Sequence, residues 1–370
     1  MERRALRLRI WCTGALAYLA CRGRLCSLLP SIGPLVWLVA LMAVPPTVLG
    51  SPPPPRFLSE TGLYVDGSAN ETAPGVLAFS PQYPLWSDGT TKRRWIFLPA
   101  GSEIDAARPA AWEFPVGTRL WKEFTLGQRI ETRLIERLSD GSWRFSTYLW
   151  KEDGSGAELA PAAGIRSLPV VGAPGGRYAI PSRNDCLACH EGAAVPVLGF
   201  SALQLSPDRD PSAPHAEPQA AGGIDLRVLV ERGLLRNLPA ALIDQQPRIQ
   251  AASADQRAAL GYLHANCGHC HNDPRESGSG APVDLLLAQY VARPDSSDAV
   301  VRSLLGASSR YRPSGGSAAN VAETLAMRMR SRDPRVQMPP LGTRIPDSEA
   351  LSLIQRWLSL ELKTAKESRP

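Results

Sequence analysis

The sequence predicts a multidomain protein, with an antiparallel β-rich N-terminal domain (sandwich-like, residues 57–180) followed by an all-α C-terminal domain over 251–365. Three observations predict it. Six of the nine tryptophans (Trp86, Trp95, Trp112, Trp121, Trp143 and Trp150) fall in a stretch of alternating polar and apolar residues broken by short polar turns. Apolar residues recur at helical spacing near the C-terminus, with Leu351, Ile354, Leu358 and Leu362 on one face. Between these regions the pattern C-x-x-C-H occurs twice.

Taken in order, residues 1–50 carry six arginines against Glu2 alone, a net of +5 out of the +6 of the 370-residue chain. The remainder is close to neutral, and no basic run with interleaved aromatics survives in it, so no nucleic-acid partner is expected. An Arg-rich start, the apolar stretch Leu35–Val44 and the small or turn residues Pro45, Pro46, Gly50 and Ser51 describe a secretory signal. Retained instead, Leu25–Val44 is a candidate membrane tether, although Pro30 and Pro34 weaken it as a helix. Both readings place the rest of the chain outside the cytoplasm, in a periplasm or equivalent compartment. A Pro-rich spacer, 51–56, follows.

Strands are expected at Lys92–Leu98, Arg119–Leu126, Ile130–Arg137 and Trp143–Trp150, with Ser139-Asp140-Gly141-Ser142 as the hairpin turn joining the last two. Clustered tryptophans suit core and cross-strand packing, and a polymer-binding platform is the alternative they allow. Asp88 and Asp140 fit turn positions.

Outside the leader there are four cysteines, Cys186, Cys189, Cys267 and Cys270, and the two motifs use all of them: Cys186-Leu-Ala-Cys189-His190 and Cys267-Gly-His-Cys270-His271. Chance predicts about 0.002 such motifs in a chain of this composition. Two thiols three residues apart can form thioethers to the two vinyl groups of one haem, and the adjacent histidine then ligates its iron. Two covalently bound haem c groups are therefore expected, held by those four cysteines with His190 and His271 as axial ligands. A zinc site pooled from both motifs and a redox-active disulfide are the competing readings. Structural zinc needs four protein ligands, and the βαβ pattern of a thiol oxidoreductase is missing.

Residues 181–250 hold the first motif and a linker with a Pro/Ala/Gly loop at Ser206–Gly223, a short helix at Ile224–Leu235 and a connecting segment Ala240–Gln250. No methionine occurs between His190 and His271, so the first haem has no thioether ligand of its own there. His264 is its candidate distal ligand, with a helix-end histidine as the plain alternative. His215 sits in a Pro-rich loop and is expected to be solvated, and His269 to be exposed.

The second motif follows a helix expected over Ser253–His264 with Ser253 as its cap, and a closing helix is expected over Asp347–Leu362, capped by Asp347. Trp357 is placed to pack near Ala259. Met338, in a rigid Met338-Pro339-Pro340 loop 67 residues after His271, is the candidate sixth ligand of the second haem, whereas Met327 and Met329 lie in a helical stretch and suit packing. Pro282 is the candidate carbonyl partner for His271 Nδ1.

Residues 251–362, with Cys267-x-x-Cys270-His271 and the Met338 loop, resemble a class I cytochrome c domain. The order Trp86-Ser87-Asp88-Gly89, Cys186-Leu-Ala-Cys189-His190, Leu198-Gly199-Phe200 and Tyr262-Leu-His-Ala-Asn-Cys267 resembles a poorly characterised bacterial family of dihaem c-type cytochromes, over roughly residues 57–360. The resemblance implies electron transfer outside the cytoplasm with another redox protein as partner. A dihaem oxidoreductase of peroxidase type, with an open first haem, is the enzymatic alternative.

Overall fold

The computed structural model describes residues 52–273, 285–306 and 318–367, leaving aside the side chains of 318–320 and 364–367. The leader and Pro282 lie outside the described residues. Residues 50–370 group as one compact unit. Among the described residues no helix is long and apolar enough to cross a membrane.

The N-terminal region is antiparallel and β-rich. Its sheet has six strands in the order β1 (Val76–Ala78), β2 (Thr91–Phe97), β4 (Arg119–Leu126), β5 (Gln128–Arg137), β6 (Trp143–Trp150) and β7 (Ala157–Leu159). The four long strands fall within two residues of their expected bounds, because alternation with β-branched and aromatic residues is a strong signal over seven or more positions. The β5–β6 turn closes with Gly141 at φ 80° and the Ser142 N–H donating to Asp140 Oδ1 at 2.8 Å. Glycine suits that left-handed position. Instead of a second large sheet, two ribbons accompany it: β3 (Ile104–Asp105) pairs in parallel with β10 (Leu235–Arg236), and β8 (Ile165–Pro169) pairs with β9 (Arg177–Ile180).

One face of the sheet packs Trp95, Trp121, Leu134, Tyr148 and Trp150 against Leu58, Leu63 and Tyr64. On the other face Ile96 and Leu120 meet Trp112, Phe114, Val197 and Phe200. Five of the six clustered tryptophans are thus buried, with Trp143 alone in an intermediate position. They fill cores and present no platform.

Helices dominate the C-terminal region. The first motif has its own helix, α1 (Arg183–His190), after which come α2 (Leu226–Glu231), α3 (Ala241–Asp244) and α4 (Ala254–Asn266). The helix expected over Ile224–Leu235 is shorter because Gly233, at φ 64°, turns the chain so that Leu235 can join the β10 ribbon. Then follow α5 (Ser296–Leu305), α6 (Ala318–Arg330) and α7 (Ser348–Glu367). Ser253 caps α4 by accepting from Gln256 N at 3.1 Å, and Asp347 caps α7 by accepting from Ala350 N at 3.1 Å. Helices α4 and α7 pack together, with Ala259, Leu263, Ile354 and Trp357 in one core. Tyr83, Trp86, Leu203 and Ala213 enter that same core from outside the helical region.

His215 departs from its expected solvated position. Its Nε2 lies 2.8 Å from Asp347 Oδ2, with Nδ1 3.5 Å from Glu349 and the ring 6.3 Å from Trp86. The hydrogen bond to Asp347 raises its pKa above the ordinary value, aided by Glu349 and opposed by burial and Lys92. A raised folded-state pKa stabilises fully below the ordinary imidazole value of about 6.5 and fades as pH rises through the folded value. In apoprotein, the stability gap between wild type and His215→Gln should shrink by of order 1 kcal/mol as pH rises above neutrality. Urea unfolding from pH 6 to 9 measures it, and a constant gap would refute the pairing.

Candidate haem site

The first motif sits on α1, whose start is built by reciprocal capping: Ser182 Oγ accepts from Asp185 N at 3.1 Å, and Asp185 Oδ2 accepts from Ser182 N at 2.9 Å. At its other end His190 Nδ1 lies 2.6 Å from the Pro196 carbonyl oxygen, and Phe145 of β6 packs edge-on to the ring with centroids 5.0 Å apart. A carbonyl accepts only, so Nδ1 carries the proton and Nε2 keeps its lone pair. That is the tautomer a metal-ligating histidine needs, with the ring fixed by its outer partner. Burial lowers the His190 pKa to about 4, keeping the ring neutral.

The second motif leaves α4 at Cys267 and turns tightly, the His271 N–H donating to Cys267 O at 2.8 Å. Gly268 is required there, because a Cβ would lie 2.5 Å from His264 O and 3.0 Å from Ala288 Cα. His271 accepts from Leu287 N and Ala288 N through its own carbonyl. Its Nδ1 is buried without a hydrogen bond of standard geometry, while the Leu285 backbone favours the protonated ring against burial, which lowers the pKa. A buried ring nitrogen of this kind suits a histidine with a further role.

Both pairs of cysteines are unbridged. Burial pushes Cys189 up to about 11 and Cys267 up to about 12, and it raises Cys186 and Cys270 as well. Thiol oxidoreductases lower the pKa of their reactive cysteine, so these environments argue against redox-disulfide chemistry. They hold neutral thiols in apolar surroundings. Among the described residues no group of three or more His, Cys, Asp or Glu converges as a metal-binding cluster.

The two motifs are neighbours. A Cβ on Gly192, just past the first, would lie 2.8 Å from His269 O and 3.6 Å from Cys270 Sγ of the second. Asn272 Nδ2 donates to both Gly192 O at 2.8 Å and His269 O at 2.9 Å, stitching the two segments together. Beside the first motif lies a cavity of about 820 Å³ lined by Cys186, Cys189, His190, His264, His269 and Lys122, among others. Its size falls within the range of about 300–1,000 Å³ typical of ligand and cofactor sites. An attached haem fits this arrangement, with both thiols and a correctly tautomerised imidazole at one cavity wall.

His264 also faces the cavity, but its Nδ1 accepts from Gln289 N at 3.1 Å, which leaves the proton on Nε2. His269, expected to be exposed, is partly buried beside the Ala265 backbone, and burial lowers it to about 4. Met338 hangs from the end of α6, its N–H donating to Arg328 O at 2.9 Å, and the Arg328 charge acts on His271. Gln337 Nε2 ties the loop down through the Pro339 and Pro340 carbonyls. Met329 is buried in the helical core, whereas Met327 is 43% exposed and does not pack there.

Three further residues contribute, and no local residue pattern marks their roles. Asn266, next to Cys267, accepts from Trp86 N at 2.8 Å and donates to Tyr262 O at 3.1 Å. Asp88 is more than a turn residue: at φ 48°, its carboxylate accepts from Arg344 N at 2.8 Å and Ile345 N at 3.1 Å, anchoring the segment after Met338. Lys122 stands on the same sheet face as the buried Leu120 and Phe124 and lines the cavity together with the first motif. No family model, curated protein or solved structure matches the chain.

Proposed function

We propose that this protein is an exported dihaem c-type cytochrome that passes electrons outside the cytoplasm to or from another redox protein. The observation that carries the proposal is the His190 Nδ1–Pro196 carbonyl hydrogen bond, at the end of a Cys186/Cys189 helix beside a cavity of haem-compatible size. Cys186 and Cys189 would hold one haem and Cys267 and Cys270 the other, with His190 and His271 as axial ligands and Met338 completing the second. Bound there, each haem supplies a one-electron redox centre. The chain's own residues do the rest. Before attachment burial keeps the thiols protonated, and in either state Pro196 fixes the His190 ring and Asn272 with Gly192 holds the two motifs against each other. The packing of α4 against α7 around Trp357 supports reading the C-terminal region as a cytochrome c-like domain.

Expression with cytochrome c maturation machinery should yield two covalent haems per chain, falling to one in Cys186→Ala/Cys189→Ala and to one in Cys267→Ala/Cys270→Ala. Mass spectrometry counts them, and a chain without covalent haem refutes the proposal. In ferric protein, Met338→Ala should remove one low-spin EPR signature; an unchanged spectrum refutes that ligand.

A dihaem oxidoreductase is the second reading, favoured by the Gln289 N–H on His264 Nδ1, which makes Nε2 a donor and not a ligand. A high-spin ferric signal together with peroxide turnover would select it.

A further inference from the structure

The sheet face over the first motif carries an unusual charge row. Register pairs Arg94 with Lys122 and Lys122 with Arg133, so three cations stand directly opposite one another on β2, β4 and β5. Like charges in that relation are destabilising. Two of them are neutralised: Arg94 by Glu217, and Arg133 by Glu131 in a paired fork, with Nε donating to Oε2 at 3.0 Å and Nη2 to Oε1 at 2.5 Å. Among the described residues Lys122 forms no ion pair. Its Nζ lies 4.9 Å from the centroid of the Phe124 ring. Burial, with Arg94, Lys92 and Arg133 nearby, pushes its pKa well below the usual lysine range, and Glu217 opposes them only in part. A half-buried cation that lines the cavity beside two others, with no ion pair among the described residues, points to an anion that completes the site.

Position identifies the anion. Phe145, which packs on His190, pairs with Ile135, which pairs with Leu120, and the charge row lies one side-chain repeat along the same face. Strand geometry puts the Lys122 Cα about 12 Å from the Phe145 Cα. Arg133 acts on the Cys186 and Cys189 thiols, and Lys122 acts on His190 and His269. A macrocycle tethered at its vinyl edge to these cysteines carries its two carboxylates at the opposite edge. Lys122 lines the cavity that such a macrocycle would enter.

Resting on the haem reading above, we propose that Lys122, flanked by Arg94 and Arg133, is the binding site for a propionate carboxylate of the haem attached at Cys186 and Cys189. The site neutralises the row only when haem is present, so it couples cofactor loading to the stability of the sheet.

Lys122→Met and Lys122→Arg test this in haem-loaded and haem-free protein. In loaded protein, removing the cation should favour the ferric form and lower one of the two reduction potentials, with Lys122→Arg holding near wild type. In haem-free protein, Lys122→Met should raise the thermal midpoint, since it relieves repulsion and breaks no pair. A loaded first haem whose potential ignores Lys122→Met overturns the site alone, as does a haem-free Lys122→Met less stable than wild type. Loss of a low-spin signature in Lys122→Met would make Lys122 an iron ligand and overturn the carboxylate assignment. A Soret shift on adding acetate or nitrite to loaded wild type, absent in Lys122→Met, would make the anion exogenous and overturn it also. Absence of covalent haem at Cys186 and Cys189 overturns the haem reading and this site together.

Discussion

Replacing Gly261 with alanine should destabilise the protein, against the ordinary helix expectation. Gly261 is inside α4, where glycine-to-alanine normally stabilises by about 1 kcal/mol. Here a Cβ would lie 2.0 Å from Tyr83 Cε1 and 2.3 Å from Cδ1. The Tyr83 ring is 2% exposed, with its backbone N–H donating to Gln204 Oε1 at 3.0 Å and its hydroxyl 3.2 Å from Asp210 Oδ2. It has no room to retreat. Overpacking of this kind costs about 1–3 kcal/mol or more, so a thermal midpoint lower by about 5 °C is expected. Differential scanning calorimetry reads the sign directly. A midpoint at or above wild type would show that Tyr83 does not seat on α4.

Glu131→Ala should cost more. Glu131 is fully buried and accepts from Arg133 Nε at 3.0 Å, Arg133 Nη2 at 2.5 Å and the Tyr178 hydroxyl at 2.7 Å. Removing it strands the Arg133 guanidinium beside Lys122 and leaves the Tyr178 hydroxyl without its acceptor. Breaking a buried pair this way costs about 3–5 kcal/mol, because the surviving charge keeps its desolvation penalty. Glu131→Gln keeps an acceptor for Tyr178 and should fall between. Urea midpoints at neutral pH measure both; a loss below about 1 kcal/mol for Glu131→Ala would mean that water reaches Arg133 freely.

How far each feature could be read from residues alone follows from the range of the physics behind it. The strands β2, β4, β5 and β6 and the caps Ser253 and Asp347 are local: alternation, turn chemistry and a hydroxyl or carboxylate at a helix start all act within a few residues. The cysteines and histidines of the two motifs are equally visible, since spacing encodes them. The cover on the sheet is not local. Strands as short as Ile104–Asp105 and Leu235–Arg236 form because two distant segments meet, and two residues show no period. The setting of Lys122 is non-local for the same reason, since the Cys186 segment that shares its cavity lies 60 or more residues away. A backbone carbonyl such as Pro196 has no residue signature at all. His215 looked solvated because its loop is proline-rich, while its partner Asp347 lies more than a hundred residues along the chain.

The core around α4 and α7 bears on dissection of the chain. A fragment beginning at Ala251 would keep both helices and the second motif but lose Tyr83, Trp86, Leu203 and Ala213 from their interior, together with the loop that Asn266 holds. What looks modular along the sequence shares its interior across the boundary. Folding therefore concerns one shared interior, in which the setting of Cys267 depends on residues nearly two hundred positions earlier.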